Sequence, residues 1–147
     1  MTNINVQVDA SKFFELLSLD TKIALRKTFA NVLAKIKLNV REYTPVFTGD
    51  AISSISSLVQ GSGLNLQGEV FSHLSYIEPL ELGRKPTMIT ATEITPWVLY
   101  KFGSYDMVWP IVQSIRQKGT KGAFMFKKAF EKFNASEFAN NFLSNLK

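Results

Sequence analysis

The sequence predicts one α+β domain over residues 1–147. An antiparallel sheet with a projecting β-hairpin packs against a long N-terminal helix, and additional helices fill the C-terminal half. Three observations lead there. From Leu25, apolar residues recur at Phe29, Val32, Leu33, Ile36, Val40 and Tyr43 with the helical period. Two strand-like runs flank Gly61-Ser62-Gly63. Phenylalanines at helical spacing, Phe126, Phe130 and Phe133 and then Phe138 and Phe142, mark the tail. With 147 residues, one domain is the natural division. Such a chain closes one core and buries roughly two-thirds of its unfolded surface.

Taken in order, Asp9 or Ser11 is placed to cap a short helix over Lys12–Leu19, and Asp20 to cap the longer one. The long helix ends before Pro45, because proline disfavours helical geometry in the residue preceding it. It carries a second apolar stripe, Ile23, Ala30, Ala34 and Leu38, on roughly the opposite side, interrupted by Lys27 and Arg41. A helix apolar on two sides is sandwiched, either within its own domain or between subunits. The plainer reading is weak amphipathicity, with alanines as helix formers.

Thr48-Gly49-Asp50 reads as a turn, followed by a helical turn and then a strand within Ile52–Gln60. Gly61-Ser62-Gly63 reads as the hairpin loop and Leu64–Ser72 as the returning strand. Leu64, Leu66 and Val70 share one face, and Gly68 marks a bulge or weak point. Leu74–Leu80 is a short helix or turn, Gly83-Arg84-Lys85-Pro86 a loop, and the β-branched run Thr87–Thr95 extended. Thr95-Pro96-Trp97 reads as a helix start, with threonine at the cap and proline at the first position, and Gly103 ends that helix. Asp106 caps the next helix, which buries Val108, Ile111, Val112 and Ile115. Arg116 and Lys118 suit its C-terminal dipole, and Gly119 closes it in a left-handed conformation. Asn134 or Ser136 separates the last two helices.

The chemistry of the common enzyme classes is missing. The chain has no cysteine, so disulfides, cysteine zinc sites and Cys–His catalysis are excluded. His73 is the single histidine, and no Gly-x-Ser-x-Gly surrounds any serine. Glu78 and Glu81 could share a helical face, yet no third ligand lies near them in sequence, so no metal or other cofactor is expected. Gly119-Thr120-Lys121-Gly122 lacks the order of a phosphate loop. Trp97 and Trp109 read as core or interface residues before base-stacking platforms. Net charge is +5, which favours polyanionic partners, but no block of five like charges occurs. No apolar run reaches the roughly 20 residues that cross a bilayer, and no signal-like segment opens the chain. A protein made in the cytosol without membrane insertion is expected.

One ordered set of short motifs remains. Thr44-Pro45-Val46-Phe47-Thr48-Gly49 leads into Ile52 and Ser54-Ile55. Tyr76-Ile77-Glu78-Pro79-Leu80-Glu81-Leu82-Gly83 follows, then Trp97-Val98, then Gly119-Thr120, and then Phe124 with Ala129 beyond. In this order and spacing, over roughly Thr44–Glu131, the chain resembles the neck and tail-completion (head–tail joining) proteins of long-tailed phages. It departs from their pattern at Ile77, where alanine is usual, at Arg84, where threonine is frequent, and at Gly122-Ala123, where a proline usually precedes the late phenylalanine. The resemblance implies a non-enzymatic virion protein that forms a ring around the DNA channel. A hexamer is favoured, because a tail tube has six-fold symmetry, and a dodecamer is the alternative. It also implies head-completion and tail-tube or tail-terminator proteins as neighbours, with DNA passing non-specifically through the lumen. The motif positions are Pro45, Thr48, Gly49, Tyr76, Glu81, Gly83, Trp97, Gly119, Thr120 and Phe124. From the residues themselves, the stripe Ile23, Ala30, Ala34 and Leu38 and the Ser56–Phe71 hairpin are the candidate subunit contacts. A basic nucleic-acid-binding module is the alternative reading, favoured by charge but without a recognition motif.

Overall fold

The computed structural model describes residues 4–7 by their backbone, and residues 19–62 and 65–146 in full. Helix α1 (Leu19–Tyr43) is its centre. The predicted stripe is the buried one: Leu25, Phe29, Leu33, Ile36 and Val40 are all at most 7% exposed. The helix stops at Tyr43, as Pro45 requires. The Thr44 hydroxyl donates to the Val40 carbonyl at 2.6 Å and satisfies part of the open C-terminal end. Asp20 is not the cap, since α1 already includes Leu19 and Asp20 lies in its first turn, where its charge suits the dipole. The helix expected over Lys12–Leu19 lies outside the described residues up to position 18.

One face of α1 carries a three-stranded antiparallel sheet in the order β1 (Ile4–Gln7), β3 (Asn65–Phe71), β2 (Ser56–Ser62). After the short helix α2 (Asp50–Ser54), strands β2 and β3 form the hairpin, and β1 adds to the far side of β3. The sequence reading had no strand at β1. The hairpin pairing runs on through Gly61↔Leu66 and Ser62↔Asn65, so Gly61 and Ser62 are strand residues rather than loop. Positions 63 and 64 lie outside the described residues, and with them the inward face expected for Leu64. Leu66 and Val70 point into the core. Gly68 is not a bulge, because it pairs in register with Val6 on one side and Val59 on the other. Its role is packing: a methyl group there would collide with the side chains of Phe29 and Leu33. The missing side chain lets α1 lie close against the middle strand. Arg26 reinforces the contact by donating to the Gly61 carbonyl at 3.0 Å.

An adjacent face of α1 is covered by α6 (Met125–Glu131) and α7 (Ala135–Asn145). Met125, Phe126 and Ala129 are fully buried, and Phe133, Phe138 and Phe142 pack half-buried onto the same core. Phe133 lies beyond the end of α6, and Asn134 caps α7, its side chain accepting from the Ser136 N–H at 2.9 Å. Phe138 meets Phe29 edge to face at 6.3 Å. An apolar cavity of about 220 Å³ remains between Phe29, Val32, Phe130 and Phe138. Lys35 pairs with Glu137, and the Asn145 amide donates to the Thr28 hydroxyl at 3.0 Å, fixing α7 along α1.

Between α3 (Ile77–Leu82) and α6 the chain makes a separate lobe from α4 (Ala91–Phe102), a 3-10 turn (Tyr105–Met107) and α5 (Val108–Lys118). The lobe has its own small core of Val98, Val108 and Val112, with Ile89, Ile94, Trp97 and Ile111 around it. Helix α4 begins earlier than Thr95. Thr90 is its cap in a full capping box, taking the Glu93 N–H and giving its own N–H to the Glu93 carboxylate at 2.7 Å. The Thr90 N–H and, after it, the Thr90 hydroxyl both donate to that carboxylate at 2.7 Å and hold the Glu93 carboxyl below its ordinary pKa. Pro96 therefore falls inside the helix and Trp97 does not begin it. The cost is the bond that residue 96 would have given the Thr92 carbonyl. Thr90→Ala is expected to lower stability by about 1 kcal/mol, with the loss read from a urea denaturation midpoint at unchanged slope.

Gly103 ends α4, as expected, and does so in the left-handed conformation. Ser104, not Asp106, caps the following turn by accepting the Asp106 N–H at 3.2 Å. Gly119 closes α5 at φ 76°, but its ψ of −159° sends the chain into extended structure rather than a left-handed turn. Gly83-Arg84 is likewise a strand and not a loop. Strand β4 (Gly83–Arg84) pairs antiparallel with β5 (Thr120–Lys121).

Candidate functional site: a clasp and an aromatic cleft

The ten motif positions fall into two groups in space. Glu81, Gly83, Gly119, Thr120 and Phe124 build a clasp where the chain leaves for the lobe and returns from it. Gly83 pairs with Lys121 and Arg84 with Thr120. The Arg84 N–H also reaches the Thr120 hydroxyl at 3.0 Å. The Ala123 and Phe124 N–H groups donate to the Leu80 and Glu81 carbonyls at 2.8 and 3.1 Å. The strands lie so close that a methyl group on Gly83 would overlap the Thr120 carbonyl, and one on Gly119 the Arg84 carbonyl. Both glycines have positive φ, 82° and 76°, which side chains disfavour.

Glu81 closes the clasp chemically. Only 4% exposed, it accepts the Phe126 N–H at 3.0 Å through one carboxylate oxygen and the Lys127 N–H at 3.1 Å through the other. These are orphan donors of the first turn of α6, so a carboxylate from 45 positions upstream does the work of an N-cap. Phe124, at the cap position itself, is the only non-glycine residue among those described with positive φ, 53°. Glu81 thus turns inward while Glu78 stays exposed, and the two do not converge on a metal. Among the described residues no three His, Asp or Glu side chains gather to hold an ion. Gly119-Thr120-Lys121-Gly122 is clasp backbone, not a phosphate cradle.

Pro45, Thr48, Gly49, Tyr76 and Trp97 line the second feature, a cleft of about 430 Å³ between the α1–α2 connection, α3 and the lobe. Phe47, Asp50 and Leu80 complete its walls. Phe47 meets Tyr100 of the lobe edge to face at 5.2 Å. The Thr48 hydroxyl donates to Asp50 Oδ2 at 2.6 Å. Burial, and after it the charge of Asp50, raises the Tyr76 phenol above its ordinary pKa. Sequence reasoning missed Phe47 and Asp50 as members, although both adjoin the Thr48-Gly49 motif. It missed the capping role of Glu81 because the capped helix lies far along the chain.

The two interface candidates on α1 and the hairpin are open to solvent. Ile23 and Leu38 are 59% and 61% exposed, and Ala30 and Ala34 are exposed between them. Arg41 leaves the stripe by reaching the Ile55 carbonyl at 3.1 Å. On the hairpin, Leu58 is exposed while Leu66 and Val70 are buried. His73 is exposed and stacks edge-on to Phe71 at 4.9 Å. No helix among the described residues is long and apolar enough to cross a membrane. No family model, no curated protein and no solved structure matches the chain.

Proposed function

We propose that the chain is a structural virion protein of a phage neck, a tail-completion or head–tail connector subunit that forms a ring around the DNA channel and catalyses no reaction. The observation that carries this reading is the second stripe of α1. The helix already buries one side under the sheet and another under α6 and α7, yet it keeps Ile23, Ala30, Ala34 and Leu38 in solvent. An apolar stripe of this kind on a rigid, central helix suits a repeated subunit contact. The gathering of Glu81, Gly83, Gly119, Thr120 and Phe124 into one clasp adds support, since motifs that match in order along the chain also meet in space. The neighbours in this reading are a head-completion protein on one side and a tail-tube or tail-terminator protein on the other.

Ala34→Glu tests it. The site is exposed, so the monomer's stability should change by no more than about 0.5 kcal/mol. In the ring the new carboxylate would be buried without a partner, and assembly should be lost. Complementation of a phage lacking the gene is the readout, with particle yield and electron microscopy of necks as the measures. Infectious tailed particles from a folded Ala34→Glu protein would remove this face from the interface. Heads and tails that join normally without the gene would overturn the neck assignment.

A further inference from the structure

None of the exposed α1 stripe residues lines the aromatic cleft. We propose that this cleft binds an arginine side chain presented by a polypeptide segment of another protein. Its volume, about 430 Å³, lies within the roughly 300–1,000 Å³ of pockets that take small ligands. Phe47, Tyr76 and Trp97 line it, and aromatic rings attract a cation lying within about 6 Å of the ring centroid. Asp50 supplies the charge. Its Oδ2 is fixed by the Thr48 hydroxyl at 2.6 Å. Among the described residues no cation pairs with it, and no lysine or arginine lines the cleft.

That combination stands out in a chain of net charge +5. Glu42, Glu131 and Glu137 are each paired with a lysine, and Glu81 and Glu93 are engaged in helix caps. Asp50, like Asp20, Glu69, Glu78 and Asp106, forms no ion pair among the described residues, and unlike them it lines the aromatic cleft, from which basic side chains are absent. A planar guanidinium stacks on aromatic walls and gives a carboxylate charge-assisted hydrogen bonds, whereas an ammonium keeps its hydration more tightly. The lip argues for a polypeptide source. Val46 is 57% exposed there, and Phe47 and Tyr76 are 38% and 39% exposed. A free guanidinium compound leaves that apolar rim wet, while the residues flanking an arginine in a chain cover it. None of this rests on the neck assignment.

The test uses the full chain with Trp109→Phe, which leaves Trp97 as the sole tryptophan reporter. Three probes are titrated: a blocked Ala-Leu-Arg-Leu-Ala peptide, its citrulline twin, and N-acetylarginine amide. The arginine peptide is expected to change Trp97 emission saturably, with a dissociation constant on the order of millimolar. The citrulline twin should bind at least about tenfold more weakly, having lost the charge. Asp50→Asn, shown folded by its thermal transition, should abolish the difference between the two peptides. Equal saturation by both peptides on the parent chain, or no saturation by the arginine peptide up to about 10 mM, overturns the proposal. N-acetylarginine amide binding as tightly as the peptide overturns the polypeptide assignment.

Discussion

Replacing Glu81 with alanine should lower the unfolding free energy by about 3–6 kcal/mol, since hydrogen bonds to a charged group contribute roughly 1.5–3 kcal/mol each. Two are lost, to the Phe126 and Lys127 N–H groups, and the first of these sits in the buried interior. The damage should spread, because α6 holds Met125, Phe126 and Ala129 in the main core. Glu81→Gln separates charge from shape. Its amide keeps one acceptor oxygen but turns a donor toward the second N–H, so a smaller loss is expected. Urea denaturation of the three proteins provides the comparison, against a total stability of roughly 5–15 kcal/mol for a natural domain. An alanine variant within about 1 kcal/mol of the parent, below the cost of even one such bond, would show that the cap carries little.

Phe29→Ala comes next, at about 3–5 kcal/mol. Phe29 is 4% exposed, touches the position of Gly68 on the sheet side and meets Phe138 on the helical side. It also lines the apolar cavity of about 220 Å³. Removing the ring would join its volume to that cavity, and such a void is not refilled by small relaxation. A thermal or urea midpoint unchanged by the substitution would place Phe29 outside the core. Gly68→Ala in the same background is a useful companion, because the space vacated by the ring is where the added methyl would go.

The parts of this fold that were legible in the sequence are those in which burial imposes a period. Helix α1 buries one continuous stripe, so Leu25, Phe29, Leu33, Ile36 and Val40 announced it. The hairpin announced itself through even-spaced Leu66 and Val70 on its inner face. Strands β4 and β5 are two residues each, too short for any period, and they exist because backbone can approach backbone at Gly83 and Gly119. The start of α4 was written in Thr90-x-x-Glu93, a capping-box signature, but the β-branched run around it and Pro96 obscured it. Glu81 shows the limit most clearly. Nothing near it in sequence tells a surface carboxylate from one that caps a helix 45 residues on. The cleft is likewise assembled from three separate segments, so Phe47 and Asp50 had no visible link to Trp97.

The pairing of β4 with β5 has a topological meaning. Arg84 and Thr120 face each other across an antiparallel pair, so everything between them is, in outline, the loop of one oversized hairpin. The lobe enters and leaves through a single doorway, and its three-valine core is distinct from the main one. Apart from the side of α4 that meets Phe47 and lines the cleft, the lobe's length is decoupled from the rest of the molecule: turns can be added to α5, or trimmed from it, while the doorway stays the same width. A family built on this plan would diverge most freely in the lobe and hold the glycines and the glutamate of the doorway fixed.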